Sequence, residues 1–277
     1  MKAAILAGAG NLPSLAAESL KKRGVETIAI TSAESIRATL EPLVSKVYVV
    51  GIGKVGKMLK ILKNEGVTHF LMIGKFDKTV LEGGLRPNLR AIWLLLRLKN
   101  RNNDTIHYTV VNLLEKRGIT TMSQSEVLSD IVPQAGVFTK SKPDKSLLAD
   151  VAFGYTVAVE LGRLDVGQTV VVKKKSVMAV ESAEGTDKTI ARGCSLANSG
   201  AVVVKAAKPS QDPRFDLPVV GMDSFKAVVE NKGKLLAVEA GKTLIVGLQD
   251  CIKYANDNNI IFMAFKPEDF YNKSLFE

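Results

Sequence analysis

The sequence contains few of the residues that build disulfide frameworks or zinc sites. Its two cysteines, Cys194 and Cys251, form no CxxC motif, and its two histidines, His69 and His107, lie far apart. Scattered cysteines fit a reducing compartment, and scattered histidines and cysteines make a zinc site improbable. The sequence therefore predicts a cytoplasmic protein without disulfides or a zinc site.

Long apolar runs are also missing. The longest, Ala91–Leu96, falls well short of the ~20 residues of a membrane span, and arginines flank it at Arg90 and Arg97. The apolar run Ala3–Ala7 is too short for the core of a signal peptide and leads directly into glycines. We expect no membrane span and no secretion signal.

The composition is that of a globular protein. Hydrophobic residues make up 46% and charged residues 24% of the chain, which excludes a disordered chain. The 22 glycines and 9 prolines exclude collagen and low-complexity classes. A length of 277 residues suggests two domains or one large α/β domain.

Positive charge is in excess and is unevenly distributed. The net charge is +10; residues 1–131 carry +8, whereas residues 132–277 carry +2. The excess is densest over residues 75–101, with seven basic and two acidic residues. Such a field attracts nucleic acids, anionic lipid surfaces or phosphorylated small molecules, although an ordinary solvated surface is the alternative.

Alternating strand and helix patterns predict an α/β fold. In the first half, apolar runs such as Ala3–Ala7 and His69–Ile73 alternate with helical patterns such as Val55–Lys63. This alternation is typical of a parallel sheet covered by helices. A second α/β unit with a hairpin around residues 173–176 follows a polar, proline-containing segment near residues 132–147.

The first candidate site is the glycine-rich turn after the first strand, which spans Gly8, Gly10, Asn11, Leu12 and Pro13. A strand, a glycine turn and a helix start together present backbone N–H groups to a phosphate. Pro13 occupies the position of the third glycine of the dinucleotide fingerprint, which disfavours a nicotinamide oxidoreductase. A tight turn without a ligand is the simpler alternative.

The second candidate is the acidic segment Glu181–Asp187. Glu184, Asp187 and a helix N-terminus would converge near Gly185 and Thr186, and oxygen ligands of this kind suit Mg²⁺ bound together with phosphate. The alternative is that Thr186 or Asp187 is only an N-cap.

The third candidate is the loop that follows a strand ending at Lys205. It contains Lys208, Gln211, Asp212, Arg214 and Asp216, and three prolines fix its backbone. Arg214 can clamp a phosphate, and Lys205 or Lys208 can act as point charges. Asp212 and Asp216 can hold a metal or orient a water. A solvated loop is the alternative.

The fourth candidate is a helix after Pro87. Arg90, Arg97 and Arg101 share one face, and Trp93 and leucines occupy the others. Such a helix can contact an anionic membrane surface, although most helices with this pattern are core helices with a charged outer stripe.

The motifs resemble those of the LpxI-type UDP-2,3-diacylglucosamine pyrophosphatases over residues 3–265. The resemblance is carried by Gly8-x-Gly10-x-Leu12-Pro13, Leu164-Asp-Val-Gly-Gln168, Glu184-Gly-Thr-Asp187, Val238-Glu239-Ala240-Gly241 and, most specifically, Lys208-Pro-x-Gln-Asp212-x-Arg214-x-Asp216-x-Pro218. It implies a Rossmann-like N-terminal domain with a parallel sheet over residues 1–132, a linker over 133–147 and a C-terminal α/β catalytic domain over 148–277.

The same resemblance implies hydrolysis of UDP-2,3-diacylglucosamine to UMP and 2,3-diacylglucosamine 1-phosphate, in lipid A synthesis. It also implies Mg²⁺ or Mn²⁺ as cofactor, a homodimer, and a lipid-linked UDP-sugar as substrate, with transient contact to an anionic inner-membrane surface and no nucleic acid partner. The essential aspartate is Asp212 or Asp216, and these two and Asp187 are the candidate catalytic residues and metal ligands.

Two alternatives remain for the function. One is hydrolysis of another nucleotide-linked substrate. The other is a non-catalytic protein that binds an anionic ligand, which would explain the net charge but not the acidic loop.

Overall fold

The computed structural model describes residues 1–51, 54–76 and 103–271. The chain divides into two compact units, Met1–Leu128 and Ser129–Glu277. The predicted basic helix with Arg90, Trp93, Arg97 and Arg101 lies outside the described residues.

The first unit alternates strands with helices. Its described elements are β1 (Lys2–Ala7), α1 (Leu12–Lys22), β2 (Glu26–Thr31), α2 (Glu34–Leu40), β3 (Lys46–Val49), α3 (Val55–Asn64), β4 (His69–Ile73), α4 (Asn103–Glu115), β5 (Thr120–Thr121) and α5 (Gln124–Val127). The helix α1 starts at Leu12, so Pro13 lies in its first turn, where proline is tolerated.

The five strands of the first unit form one parallel sheet in the order β3-β2-β1-β4-β5. This is the strand order of a doubly wound, Rossmann-like fold, and the order reverses between β1 and β4. Ala3, Ala4 and Ile5 of β1 are fully buried, as the central strand of a sheet covered on both faces requires. The expected Rossmann-like parallel sheet is thereby confirmed.

The second unit is also α/β. Its described elements are a 3₁₀ turn (Ser129–Ile131), β6 (Gly136–Val137), α6 (Lys145–Arg163), β7 (Thr169–Lys173), β8 (Ser176–Val180), α7 (Thr186–Leu196), β9 (Val202–Lys205), β10 (Val219–Val220), α8 (Met222–Glu230), β11 (Leu235–Glu239), β12 (Leu244–Ile245), α9 (Leu248–Asp257), β13 (Ile261–Phe265) and α10 (Glu268–Tyr271).

A six-stranded mixed sheet organises the second unit, in the order β6-β13-β11-β9-β7-β8. Strands β9, β11 and β13 are parallel, whereas β6 is antiparallel to β13, and β7 is antiparallel to both β8 and β9. The short strand β6 and the start of α6 both fall within residues 133–147, for which the sequence predicts a linker. The limits 1–132, 133–147 and 148–277 stay a prediction.

Glycines bring α6 and α7 close to opposite faces of this sheet. A Cβ on Gly193 of α7 would lie 2.5 Å from Cβ of Val171, and a Cβ on Gly154 of α6 would lie 2.7 Å from Cγ2 of Val204. Residues of one strand alternate between the two faces. Val203 and Lys205 therefore face α7, and Val202 and Val204 face α6.

Candidate active site

The glycine-rich turn of the first unit lies where the strand order reverses. The N–H of Gly8 donates to the carbonyl of Ile73, and Ala9 and Lys75 exchange two backbone hydrogen bonds. A Cβ on Gly8 would lie 2.6 Å from the carbonyl oxygen of Lys75. Close backbone packing therefore requires Gly8, whether or not the turn binds a ligand.

The position of this turn still suits an anion. It follows the carboxyl end of β1 beside that of β4, which is where open α/β sheets bind ligands. Gly10 has φ of +97°, a backbone conformation that favours glycine. Asn11 is the N-cap of α1 without a side-chain capping bond, and Pro13 supplies no N–H in the first turn. The turn therefore offers fewer donors than a dinucleotide fingerprint.

Polar residues of the second unit gather at one edge of its sheet. Lys205 ends β9, Glu239 ends β11, and Glu181 directly follows β8. Because β8, β9 and β11 all run toward this edge, their carboxyl ends lie there together. The helix α7 begins at the same edge with Thr186.

Lys205 and Glu239 are the most deeply buried charged residues of this edge. The exposed fraction of Lys205 is 3%. Its Nζ donates to Oγ1 of Thr186 at 2.5 Å, and Thr186 in turn donates to Oε1 of Glu181 at 2.8 Å. Burial lowers the pKa of the Lys205 amine, and the charges of Glu181 and Asp187 act in the opposite direction. The ammonium group is therefore held inside the protein by a hydroxyl and nearby carboxylates.

The N-cap of α7 is Gly185, with φ of +83°. The alternative that Thr186 or Asp187 acts only as an N-cap is therefore wrong, because both lie inside the first turn of the helix. The carboxylate of Asp187 accepts a hydrogen bond from Ser224. The Thr186 hydroxyl forms hydrogen bonds with two charged side chains, those of Glu181 and Lys205.

The carboxylate of Glu184, which precedes α7, contacts side chains of that helix. Its Oε1 accepts from Arg192 at 2.6 Å and from Thr189 at 3.2 Å. A hydrogen bond from its own backbone N–H, and then the one from Arg192, hold its pKa below the ordinary value. Glu184 thus stabilises the start of α7.

The loop after β9 contains two side-chain networks. In the first, Oε1 of Gln211 accepts from the backbone of Lys208, and Nε2 of Gln211 donates to Asp216 at 3.0 Å. The amine of Lys208 pairs with Asp165. Gln211 therefore links the two ends of the motif.

The second network joins Asp212 and Arg214. The Arg214 guanidinium contacts both carboxylate oxygens, with Nη2 2.7 Å from Oδ2 and Nε 3.0 Å from Oδ1. Burial alone would raise the pKa of Asp212, but the hydrogen bonds and charge of Arg214 hold it below the ordinary value. Asp212 is therefore ionised and already paired.

Glu239 was not predicted as a site residue, but its side chain binds the backbone at the start of the loop after β9. It is 2% exposed, its Oε2 accepts from the backbone N–H of Ala207 at 2.9 Å, and its Oε1 pairs with Lys242. A lone carboxylate at the end of an apolar strand is the signal that would have indicated it.

The three candidate metal ligands are not gathered into one cluster. Among the described residues, no group of three or more His, Cys, Asp or Glu side chains is arranged to hold a metal ion. Arg214 already binds both oxygens of Asp212, so this residue does not fit as a ligand. Asp187 and Asp216 each have one oxygen bound by a neighbour and so fit a Mg²⁺ ion that is held by one or two carboxylates together with phosphate.

The predicted site residues thus fall into three groups. Glu184, Gly185, Thr186, Asp187 and Lys205 lie together at the start of α7. Lys208, Gln211, Asp212, Arg214 and Asp216 share one loop that leaves the same strand end. Gly8 through Pro13 lie at the switch point of the first sheet.

Within the described ranges, no helix combines the length and apolar character needed to cross a bilayer.

Comparison with solved structures gives distant similarities. A biotin carboxylase domain of a thermophilic 2-oxoglutarate carboxylase is 12% identical with a TM-score of 0.28, over 61% of this chain and 34% of that chain. This chain spans about a third of that protein's length. A GalE-like L-threonine dehydrogenase from Cupriavidus necator is 10% identical with a TM-score of 0.33, over 100% of this chain and 99% of that chain. Neither likeness bears on function.

The fold and the polar strand edges define an α/β protein with two units and a charged site in the second. The LpxI N-terminal domain model matches residues 2–131, and the LpxI C-terminal domain model matches residues 134–263. The UDP-2,3-diacylglucosamine pyrophosphatase LpxI of Caulobacter vibrioides is 30% identical over 231 residues, which cover 79% of this chain and 82% of that protein. The chain belongs to the LpxI family.

Proposed function

We propose that this chain hydrolyses the pyrophosphate bond of UDP-2,3-diacylglucosamine to UMP and 2,3-diacylglucosamine 1-phosphate. Membership of the LpxI family and the name of the Caulobacter relative support this reaction. The structural observation that carries it is the buried Lys205 ammonium at a strand edge beside the Lys208–Pro218 loop. A buried cation at an open strand end is suited to an anionic phosphate group.

The chemistry needs charge neutralisation and an attacking water. In this proposal Lys205 and Arg214 bind phosphoryl oxygens, because a lysine serves as a point charge and an arginine as a planar fork. Lys208 and Gln211 shape the loop around the anion, and Glu184, Gly185 and Thr186 at the start of α7 also bind the substrate. Water adds to one phosphorus while the bridging oxygen leaves with the other phosphate.

Asp216 is our choice for the carboxylate that orients this water. One of its oxygens accepts from Gln211, whereas both oxygens of Asp212 contact Arg214. Asp212 then has the role of holding Arg214 in place. When bound, Mg²⁺ or Mn²⁺ would neutralise phosphate charge, with Asp187 or Asp216 as its protein ligands.

The remaining parts of the proposal rest on the sequence and on the family. The turn Gly8–Pro13 is a further substrate-binding segment, the protein is a cytoplasmic homodimer, and it contacts the inner-membrane surface transiently to reach its lipid substrate. The basic face with Arg90 and Arg97 is the proposed membrane contact.

A product assay tests the function. Purified protein is incubated with UDP-2,3-diacylglucosamine and Mg²⁺, and UMP and the sugar 1-phosphate are measured separately by mass spectrometry. We expect both products in equal amounts, and much slower turnover of UDP-glucose, which has no acyl chains. Equal turnover of both substrates, or no UMP at all, would contradict the proposed substrate.

A further inference from the structure

Glu181 begins the second candidate segment, Glu181–Asp187, but its carboxylate has been assigned no role so far. It directly follows β8, and its backbone N–H donates to the carbonyl of Thr169 at 2.8 Å. Thr169 is in turn the register partner of Lys205. Because directly opposed residues of antiparallel strands place their side chains on the same face, Glu181, Thr169 and Lys205 are neighbours on the face that α7 covers.

A single hydroxyl connects Glu181 to Lys205. The Thr186 hydroxyl has one proton, which it donates to Oε1 of Glu181 at 2.8 Å. Its oxygen therefore faces Lys205 with a lone pair and accepts from Nζ at 2.5 Å. The carboxylate thus fixes the direction of the hydroxyl, and the hydroxyl fixes the position of the ammonium group.

The contact with Thr186 uses only one of the three ammonium protons of Lys205. Among the described residues, Lys205 makes no other side-chain hydrogen bond. A buried charged group with unused donors is costly unless a ligand or water completes its bonding. The arrangement is therefore suited to an anion that enters from the open edge of the sheet.

Glu181 also has bonding capacity that the protein does not use. Its Oε2 is buried without a hydrogen-bond partner in the described part of the chain, as is Oγ1 of Thr169 on the next strand. Its negative charge supports the protonated form of Lys205 against the effect of burial. Gly167 allows this placement, since a Cβ there would lie 2.1 Å from the carbonyl oxygen of Glu181.

We infer that Glu181 is a positioning residue, which acts through Thr186 to hold the Lys205 ammonium group directed toward a phosphoryl oxygen of the bound pyrophosphate. Glu181 itself does not touch the substrate. The identity of the bound anion rests on the proposed function, whereas the connection of the three side chains does not.

Paired substitutions test the connection. Glu181→Gln keeps an oxygen for the Thr186 hydroxyl but removes the charge. Thr186→Val removes the hydroxyl, and Thr186→Ser keeps it. We expect Glu181→Gln and Thr186→Val each to lower kcat/KM for UDP-2,3-diacylglucosamine about tenfold, in the range observed for residues of one network, and Thr186→Ser to retain most of the activity. Glu160→Gln, on an exposed position of α6, is the matched control.

A double-mutant cycle separates positioning from general damage. Lys205→Met is expected to lower kcat/KM about 10²-fold, as loss of one charge-stabilising donor does. In that background, Glu181→Gln should have little further effect, because the group on which it acts is gone. Equal losses in both backgrounds, or wild-type kinetics in both Glu181→Gln and Thr186→Val, would overturn the inference.

Binding of inorganic pyrophosphate gives a readout that does not require turnover. Titration calorimetry should show a roughly tenfold weaker Kd for folded Glu181→Gln, and an unchanged Kd for Glu160→Gln. If Glu181→Gln does not fold, the comparison of Thr186→Val with Thr186→Ser decides. A wild-type protein that binds pyrophosphate without hydrolysing the lipid substrate contradicts the proposed function alone, and one that does not bind pyrophosphate contradicts this inference.

Discussion

The Arg214 guanidinium and the Asp212 carboxylate form a fork-shaped ion pair within one turn of chain. Nε contacts both oxygens, Nη2 contacts Oδ2 at 2.7 Å, and the backbone N–H of Arg214 donates to Oδ1 at 2.9 Å. The side chain of Asp212 is only 10% exposed. Asp212 therefore organises the loop and Arg214 rather than facing solvent.

From this pairing we predict different roles for the two candidate aspartates. We expect Asp216→Asn to lower kcat about 10²-fold with little change in KM, because it removes a group that acts on the water in the transition state. Asp212→Asn should instead raise KM and lower the melting temperature, since Arg214 loses its charged partner. Steady-state kinetics and thermal melts of both variants test this, and the reverse pattern would show that Asp212 acts on the water.

The proposed metal ion would have few protein ligands. Because no cluster of three metal-binding side chains occurs among the described residues, a Mg²⁺ ion would depend on substrate phosphates for part of its coordination. We expect EDTA to abolish UMP release and added Mg²⁺ or Mn²⁺ to restore it, without a change in the melting temperature of the ligand-free protein. Full activity in chelator would remove the metal from the mechanism.

Gly8 is expected to be required for stability as well as for binding. A Cβ at this position would overlap the backbone of Lys75, so Gly8→Ala forces two turns apart. We expect a loss of about 1–3 kcal/mol in the free energy of unfolding. Gly51→Ala is the control, because a Cβ there has no heavy atom within 4 Å. Urea unfolding of both variants measures the difference, and similar stabilities would contradict the packing argument.

Glu65 makes the stability of the first unit depend on pH. Hydrogen bonds from Lys46, Tyr48 and Lys2 lower its pKa from 4.5 to about 2. A carboxyl group with a lowered pKa stabilises the fold above its unfolded pKa, and this stabilisation is lost as pH falls from about 4.5 toward about 2.

Glu65→Gln should therefore lower the melting temperature at pH 7, and the difference from the wild type should shrink steadily below about pH 4.5. Glu18→Gln, which changes an exposed carboxylate on α1, should show neither effect. A difference that stays constant from pH 7 to pH 3 would mean that Glu65 stabilises through packing rather than charge.

The proposed membrane contact is tested by charge reversal. Arg90→Glu combined with Arg97→Glu should reduce co-sedimentation with anionic vesicles, since each basic residue near such a surface contributes about 1 kcal/mol. Activity on membrane-borne substrate should fall more than activity on a short-chain analogue. Equal losses on both substrates with unchanged vesicle binding would assign this segment a structural role.

Much of the fold could be predicted from local patterns. The apolar run at His69–Ile73 coincides with β4, and the hairpin expected around residues 173–176 is formed by β7 and β8. Lys174 and Lys175 have φ of +51° and +55°, and the buried Asp150 accepts from both of their N–H groups. The alternation of apolar residues indicated these strands, but nothing local could indicate that a residue on α6 holds the hairpin turn.

The candidate site was predictable only in part, because local patterns do not indicate contacts between distant segments. Motif residues such as Lys205 and Asp212 are recognisable along the chain, since Lys205 ends an apolar run and Asp212 is followed by Pro213. The roles of Glu181 and Glu239 depend on strand register between segments that are far apart in sequence. The different partners of Asp212 and Asp216 depend on the positions of the Arg214 and Gln211 side chains, which the sequence does not give.

The two sheets differ in when their strands become available during synthesis. All strands of the first sheet lie within the first 121 residues, so this unit can fold while the rest of the chain is still being made. In the second sheet, β13 lies between β6 and β11, and it is complete only when residue 265 has been added. Until then β11 has an open edge that can pair with other nascent chains. A premature stop before Ile261 should therefore produce aggregation rather than a shortened but soluble protein.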